Sequence, residues 1–503
     1  MIFLMIWRKV RHRRSEQILE QMEKNYLGAV VAVVLAAMLV LLGLYWLPTI
    51  KVDDWQMRKV DMLADIRNDS ALQILTTTDS IATDDATDST STQMAHGGVP
   101  VLTGSHLVRT KDGRLITAED SIINARQQAT ASRDGITSII DMSDGAPGGM
   151  AAFYHALAQA QGRPVRIAVL GDSYIEGDIL TSKLRELLQQ RFGGTGCGYL
   201  PMTSITANFR RTVKQTFNGW LQHKAVDRNG YADAFNNLTG NYFTANNGAW
   251  VNIIGNGNFY SSSATCTSSS FYFLGNGSTG YATAVVNGTD TTHFALTNAG
   301  IVSHARVSGD IKSVKWTVSD PAETIFLGTS MDSDNGVIVD NFAMRSASGK
   351  HLSRISPSML SAFNQVRHYD LVILMYGLNI ASSTQSAYTG YCNLISAAVK
   401  NIKTGMPGTS VLVVGCSDRA ERTANGWRTM PGVLGLIQAQ KRVAINNGVV
   451  FWDLREAMGG EGSIVRMVQR GEANSDYTHI NFKGGDHLAR LLYDAIILGF
   501  ETR

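Results

Sequence analysis

Hydrophobic and polar positions divide this chain into stretches of different period. Leu27–Leu47 is apolar on every face, and no charge occurs between Tyr26 and Ile50. From about residue 147, short apolar runs alternate with amphipathic stretches. GGMAAFYHALAQAQ (148–161) reads as a helix. VRIAVL (165–170) reads as a buried strand, and DILTSKLRELLQQRF (178–192) as a helix with Ile179, Leu180, Leu184, Leu187, Leu188 and Phe192 on one face. The same alternation returns late in the chain. DLVILMY (370–376), SVLVVG (410–415) and GVVFWDL (448–454) are the strands, and 385–404, 431–446 and 484–500 the helices. Continuous apolar strands between helices predict an α/β fold, a parallel sheet covered on both faces. Between 203 and 335 the period falls to two. SFYFLG, YATAVVNG, HFALT and SVKWTVS are separated by Gly, Asn and Asp turns, which predicts a β-sandwich inserted after the first α/β unit.

The N-terminal run is long enough to cross a bilayer as a helix, for which about 20 apolar residues suffice. Arg8, Lys9, Arg11, Arg13, Arg14 and Lys24 precede it, and Tyr45 and Trp46 close it. Positive charge before the span places the N-terminus in the cytoplasm and the bulk outside. The reading is therefore a basic tail at 1–26, a transmembrane anchor at 27–47 and a single-pass membrane protein with its bulk outside the cytoplasm. A cleaved signal peptide is the competing reading, and the length of the run and the lack of a small-x-small site weigh against it. Residues 76–98 (TTTDSIATDDATDSTSTQMAHGG) are too poor in large apolar side chains to offset their ordering entropy, so 48–105 is read as a flexible stalk. LVRTKDGRLIT, with its Asp112-Gly113 turn, predicts a hairpin at the start of 106–202.

A net charge of +3, much of its basic excess in the N-terminal tail, gives no nucleic-acid footprint. Cys197, Cys266, Cys392 and Cys416 show no CxxC or Cys/His spacing, so no metal site is expected. Disulfides among them stay open.

Three short motifs carry chemistry. Gly171-Asp172-Ser173 follows a buried strand and precedes a helix, so the serine lies at a strand's carboxyl end near helix N–H groups that favour negative charge. Asp and Ser are also ordinary helix caps there. Asp476-Tyr477-Thr478-His479 precedes the last helix. A serine nucleophile needs a histidine base, and the histidine a carboxylate on its other nitrogen. Tyr376-Gly377-Leu378-Asn379 ends a strand, and a carboxamide there can donate to an oxyanion or simply turn the chain. Asp418 and Asp453 have cap or turn explanations. No P-loop, GxGxxG, HExxH or GxSxG elbow occurs.

GDSY, YGLN and DYTH in this order resemble the blocks of the SGNH/GDSL hydrolases, over about 147–200 and 336–500. The resemblance implies a three-layer α/β/α fold completed by 336–503. It also implies Ser173 as nucleophile, His479 as base and Asp476 as its orienting carboxylate, with oxyanion donors from Ser173, Ser346 and Asn379. Two departures stand out. Ser346 occupies the usual glycine position, with Gly349 three residues on, and Ile380 follows Asn379 where Asp is common. GDSYIEGD, FGGTGCGYLP, FWDLREAMGG and the inserted β domain are similar to exported peptidoglycan O-acetylesterases of the Bacteroidetes type. In that group the insertion resembles a carbohydrate-binding module, so Trp220 and Trp250 are either sugar platforms or core.

The implied activity is removal of O-acetyl groups from an acetylated cell-envelope glycan through an acetyl-serine, chemistry that requires no cofactor. An O-acetyltransferase working with a membrane acyltransferase partner uses the same triad and remains an alternative. A non-catalytic glycan-binding protein is the third.

Overall fold

The computed structural model describes residues 107–503 apart from 111–113, 228–229, 276–279 and 298–299. It also describes one strand pair nearer the N-terminus, β1 (Lys51–Val52) against β2 (Trp55–Gln56). The chain divides into two units, Met1–Thr83 and Asp84–Arg503. The expected tail and anchor, and all of the expected stalk except that strand pair, lie outside the described residues. Among the described residues no helix is long and apolar enough to cross a membrane.

In the second unit, β3 (Leu107–Arg109) and β4 (Leu115–Thr117) form the hairpin that Asp112-Gly113 predicts, with Leu107 opposite Thr117. Thr117 then caps helix α1 (Ala118–Ala129) by accepting the Asp120 N–H. The central sheet begins with β5 (Ile140–Asp141), followed by helix α2 (Met150–Ala158), β6 (Pro164–Gly171) and helix α3 (Thr181–Phe192).

The chain then leaves for the insertion. Its strands are β7 (Gly198–Leu200), β8 (Val213–Lys224), β9 (Asn241–Gly255), β10 (Cys266–Leu274), β11 (Tyr281–Val286), β12 (Asp290–Ala295), β13 (Val302–Ile311), β14 (Ser313–Ser319) and β15 (Ile325–Asp332). It returns with β16 (Gly336–Ala343), helix α4 (Pro357–Val366), β17 (Leu371–Met375), helix α5 (Thr389–Gly405) and β18 (Ser410–Val414). A small hairpin, β19 (Ala420–Thr423) with β20 (Gly426–Thr429), precedes helix α6 (Pro431–Asn447) and β21 (Val450–Trp452). Helices α7 (Leu454–Ala457), α8 (Ser463–Gln469) and α9 (Phe482–Glu501) complete the chain.

The central sheet has the order β16-β6-β17-β18-β21-β5. Five strands are parallel and their runs are almost wholly buried, as a sheet covered on both faces requires. The expectation of an all-parallel sheet needs one correction: β5 runs antiparallel to β21 at the edge. Two residues are too short to show a period in sequence. Phe500 of α9 meets Phe192 of α3 at 5.2 Å and Tyr154 of α2 at 6.3 Å, which sets these helices on one face. On the other face α1 joins α6 through the buried Glu119–Arg442 pair, and α6 joins α5 through Asn447 and Ser396.

The insertion also departs from expectation. β7 already pairs with β15, so it begins before residue 203. Its nine strands form one hydrogen-bonded sheet, with main order β12-β11-β14-β9-β15-β10-β13, and not two separate sheets. β10 and β14 stand three places apart in that order, which in a flat sheet would be roughly 14 Å. Yet Phe271 of β10 stacks on Trp316 of β14 at 5.2 Å. The sheet therefore folds over on itself at the long strands β8 and β9, whose two halves serve different layers. Trp220 lies against Phe326 and donates its indole N–H to the Trp250 carbonyl (2.8 Å), which makes it part of this core; Lys315 covers the Trp250 ring.

One buried cation ties the insertion to the central α/β layers. Arg367, following α4, bonds Asp332 of β15 (2.6 and 3.0 Å), Asp340 of β16 (2.6 Å) and the Tyr272 hydroxyl of β10 (2.7 Å). Replacing Arg367 by Met leaves two carboxylates buried without their cation. The expected cost is about 3–5 kcal/mol of folding stability, read by denaturant unfolding. Burial pushes Asp332 up, but Arg367 outweighs it and holds the carboxyl below 3.8. A depressed folded value means this stabilisation is complete above 3.8 and lost as pH falls through the folded value. The stability gap between wild type and Arg367→Met is therefore expected to be constant at neutral pH and to narrow in acid.

Candidate active site

Strand register brings the motifs together. Gly171, the last residue of β6, pairs with Ala343 of β16 on one side and Met375 of β17 on the other. The segments carrying Ser173, Ser346 and Asn379 thus leave three adjacent strands at the same level, at the carboxyl edge where α/β sites form. DYTH arrives from the far end of the chain, just before α9.

The structure brings Ser173, His479 and Asp476 into one line. Ser173 Oγ lies 2.9 Å from His479 Nε2, and His479 Nδ1 lies 2.7 Å from Asp476 Oδ2. The backbone N–H groups of Thr478 and His479 each donate to Asp476 Oδ1 at 3.0 Å. Burial alone would raise the Asp476 carboxyl, but these hydrogen bonds and the His479 ring hold it below its ordinary value. It therefore remains an anion facing the imidazole, the arrangement that makes Nε2 the proton acceptor toward serine.

Three details were hidden from the sequence. First, Ser173 does not open an α-helix. It begins a 3₁₀ stretch, Ser173–Asp178, broken by non-helical Glu176 and Gly177, and α3 starts only at Thr181. The serine thus stands at the start of a short 3₁₀ turn and not at the start of α3. Second, Asp172 is buried next to Ser173. Its carboxylate accepts the Tyr174 N–H at 2.9 Å and interacts with the N–H groups of Gly377 and Leu378. Burial pushes its pKa up to about 6 against these donors. Third, Glu176 forms an ion pair with Arg345 (Nη2–Oε2 2.6 Å), linking the nucleophile turn to the Ser346 loop.

Ser346 is exposed and adopts φ +64, a left-handed conformation that glycine takes without cost. That explains why its position reads as a glycine slot. The Asn379 carboxamide donates to the Ala347 carbonyl at 2.9 Å, which fixes its orientation beside that loop. Asp418 accepts the Ile464 N–H in the first turn of α8 and the Thr429 hydroxyl, while Asp453 is the N-cap of α7 and accepts the Glu456 N–H. The four cysteines are buried and free. Among the described residues no group of three His, Cys, Asp or Glu could hold a metal ion.

The β19–β20 hairpin, which no sequence motif announced, reaches the triad loop. Trp427 stacks on Tyr477, with ring centroids 3.7 Å apart, and the Ala420 N–H donates to the Tyr477 carbonyl at 3.1 Å. Tyr477 lies between Asp476 and His479 and is itself left-handed at φ +54.

The motifs that resemble the SGNH hydrolase blocks all lie at one edge of an α/β/α fold, and that fold has likenesses among solved structures. In particular, the chain resembles a solved structure described as "Peptidoglycan O-acetylesterase in action", with 21% identity, 73% of this chain and 99% of that chain covered, and a TM-score of 0.60. Weaker likenesses include a lipase/acylhydrolase from Enterococcus faecalis (17% identity, 32% and 76% covered, TM-score 0.24). A family two carbohydrate esterase from Cellvibrio japonicus is another (8%, 57% and 99%, 0.24). No family model and no curated protein matches the chain.

If Trp427 holds the triad loop in place, Trp427→Ala is expected to slow labelling of Ser173 by a serine-directed fluorophosphonate about 10- to 100-fold, the scale of a misplaced catalytic group. Trp427→Phe is expected to retain most of the rate, and thermal unfolding to move little in either variant.

Proposed function

We propose that this protein is a serine esterase that removes O-acetyl groups from a cell-envelope polysaccharide, peptidoglycan foremost. We place it on the periplasmic side of the bacterial inner membrane, held there by the apolar run 27–47. The observation that carries the chemistry is the hydrogen-bonded line from Ser173 through His479 to Asp476. The fold likeness and the acetyl ester named for that solved structure support the substrate class. The site is open: the His479 and Asp476 side chains keep 39% and 48% of their surface exposed. A bulky polymer can approach such a triad, whereas a long acyl chain would call for an apolar slot.

In the first step His479 Nε2 takes the Ser173 proton as Oγ attacks the acetyl carbonyl. The tetrahedral oxyanion collapses, the ester C–O bond breaks, and the sugar oxygen leaves with the proton from His479. Water, activated by the same imidazole, then attacks the acetyl-serine and releases acetate. The Ser173 and Ser346 N–H groups and the Asn379 carboxamide are assigned as oxyanion donors.

Ser173→Ala is expected to lower acetate release from an acetyl ester at least about 10⁴-fold, and Asp476→Asn about 10²- to 10⁴-fold. Retention of full activity by Ser173→Ala would refute the esterase reading. Transfer of label from an acyl donor to a glycan hydroxyl, in place of acetate release, would make the same triad a transferase.

A further inference from the structure

The first stretch of the insertion turns back across the nucleophile turn, and its anchoring sorts two neighbouring arginines into different tasks. Asp178, at the end of the 3₁₀ stretch, bonds Arg185 of α3 (2.8 and 3.1 Å), Arg210 (3.0 Å) and the Thr212 hydroxyl (2.7 Å). Arg210 is thus spent on a buried carboxylate. Arg211 is not. Its guanidinium carbon lies 4.0 Å from the Phe482 ring centroid and 4.7 Å from that of Phe259. Phe482 in turn packs on Phe209 at 4.9 Å. Phe209 presses on Gly177, where a Cβ would fall 2.6 Å from its ring and where φ is +62. This cluster therefore bridges the turn that starts at Ser173 and the helix that starts three residues after His479.

Arg185, Arg210, Arg345 and Arg367 each have an acidic partner. Among the described residues no carboxylate comes within salt-bridge distance of Arg211. Asp486, on the same helix as Phe482, accepts the Tyr260 hydroxyl instead (2.8 Å). A half-buried guanidinium held over two rings without a counter-ion is a preorganised fork for a planar anion. Little side-chain entropy is left for it to lose on binding one.

We propose that Arg211 is a substrate-recognition residue that pairs with a carboxylate carried by the acetylated glycan. The proposal rests on the esterase reading and narrows it: the substrate polymer is acidic, and its carboxylate sits beside the sugar whose ester is cleaved. Two sources supply that chemistry, the lactyl or peptide carboxylates of peptidoglycan and the uronate of an acidic polysaccharide.

The test uses the full chain in detergent with four substrates: p-nitrophenyl acetate, acetylated xylan as a neutral glycan, O-acetylated muropeptides and O-acetylated alginate. Arg211→Gln is expected to raise KM about 10- to 100-fold on one or both acidic substrates, the scale of a charged hydrogen-bonded pair. It is expected to leave kcat and both neutral substrates unchanged. Arg211→Lys is expected to recover part of the loss, and the salt dependence of KM on the acidic substrate is expected to flatten in Arg211→Gln. Which acidic substrate responds identifies the source of the carboxylate. Equal loss on neutral and acidic substrates, or no loss on either acidic one, overturns the proposal. Calorimetric binding of muropeptide and of alginate to Ser173→Ala, with and without Arg211→Gln, reads the subsite without turnover. Absence of hydrolysis in the wild type would thus strike the esterase reading alone, while equal binding by both proteins would strike the Arg211 assignment.

Discussion

The active edge of this protein depends on one buried carboxylate. Asp172 directly precedes Ser173 and gathers N–H groups from its own turn and from the neighbouring segment at Gly377 and Leu378. Those donors face the interior, where an unpaired N–H costs much of its desolvation energy. Strand register brings β6 and β17 level at Gly171, and Asp172 converts that alignment into a fixed relation between the serine turn and the Asn379 segment. The cost appears in its pKa, pushed up to about 6 by burial. An ionised group is tolerated there because several backbone dipoles converge on it.

The insertion is accommodated without disturbing that edge because it leaves after α3 and returns into β16, the strand on the far side of β6 from β17. Two of its fastenings are buried and ionic. Arg367 joins its layers to β16, and Asp178 joins its first segment to the nucleophile turn. Burial would raise the Asp178 carboxyl, yet Arg185 and Arg210 hold it well below the usual carboxylate range. Ionic fasteners of this kind specify one docking geometry, because a shifted arrangement would strand a charge in the interior.

Much of this was legible in the sequence because its signals are local. VRIAVL followed by GDS marks a strand end, and DYTH places a base and its carboxylate three residues apart, a spacing one loop can close. Alternation between 203 and 335 revealed strands but not their closure, since the fold-over at β8 and β9 depends on which half of each strand pairs with which neighbour. The 3₁₀ stretch Ser173–Asp178 was illegible because six residues between a strand and a helix are too few to show a period, and its form depends on the backbone angles of Glu176 and Gly177. The β19–β20 hairpin was missed because AERTANGWRT lacks a hydrophobic face of its own. Its single large apolar side chain, Trp427, finds its partner 50 residues later.

Strain explains why those unannounced contacts matter. Two non-glycine residues at the active edge, Ser346 and Tyr477, hold positive φ, a conformation that costs about 1–3 kcal/mol and persists only where the surroundings over-determine it. Each has its own restraint. The Arg345–Glu176 pair and the Asn379–Ala347 bond brace the loop at Ser346, while Trp427 and the Ala420 N–H brace Tyr477. Ser346 is itself a proposed oxyanion donor and Tyr477 adjoins Asp476, and in both cases a bracing partner comes from a different segment of the chain. Ser346 thus holds the left-handed backbone that a glycine takes without cost, and the ion pair and hydrogen bond around its loop offset the strain.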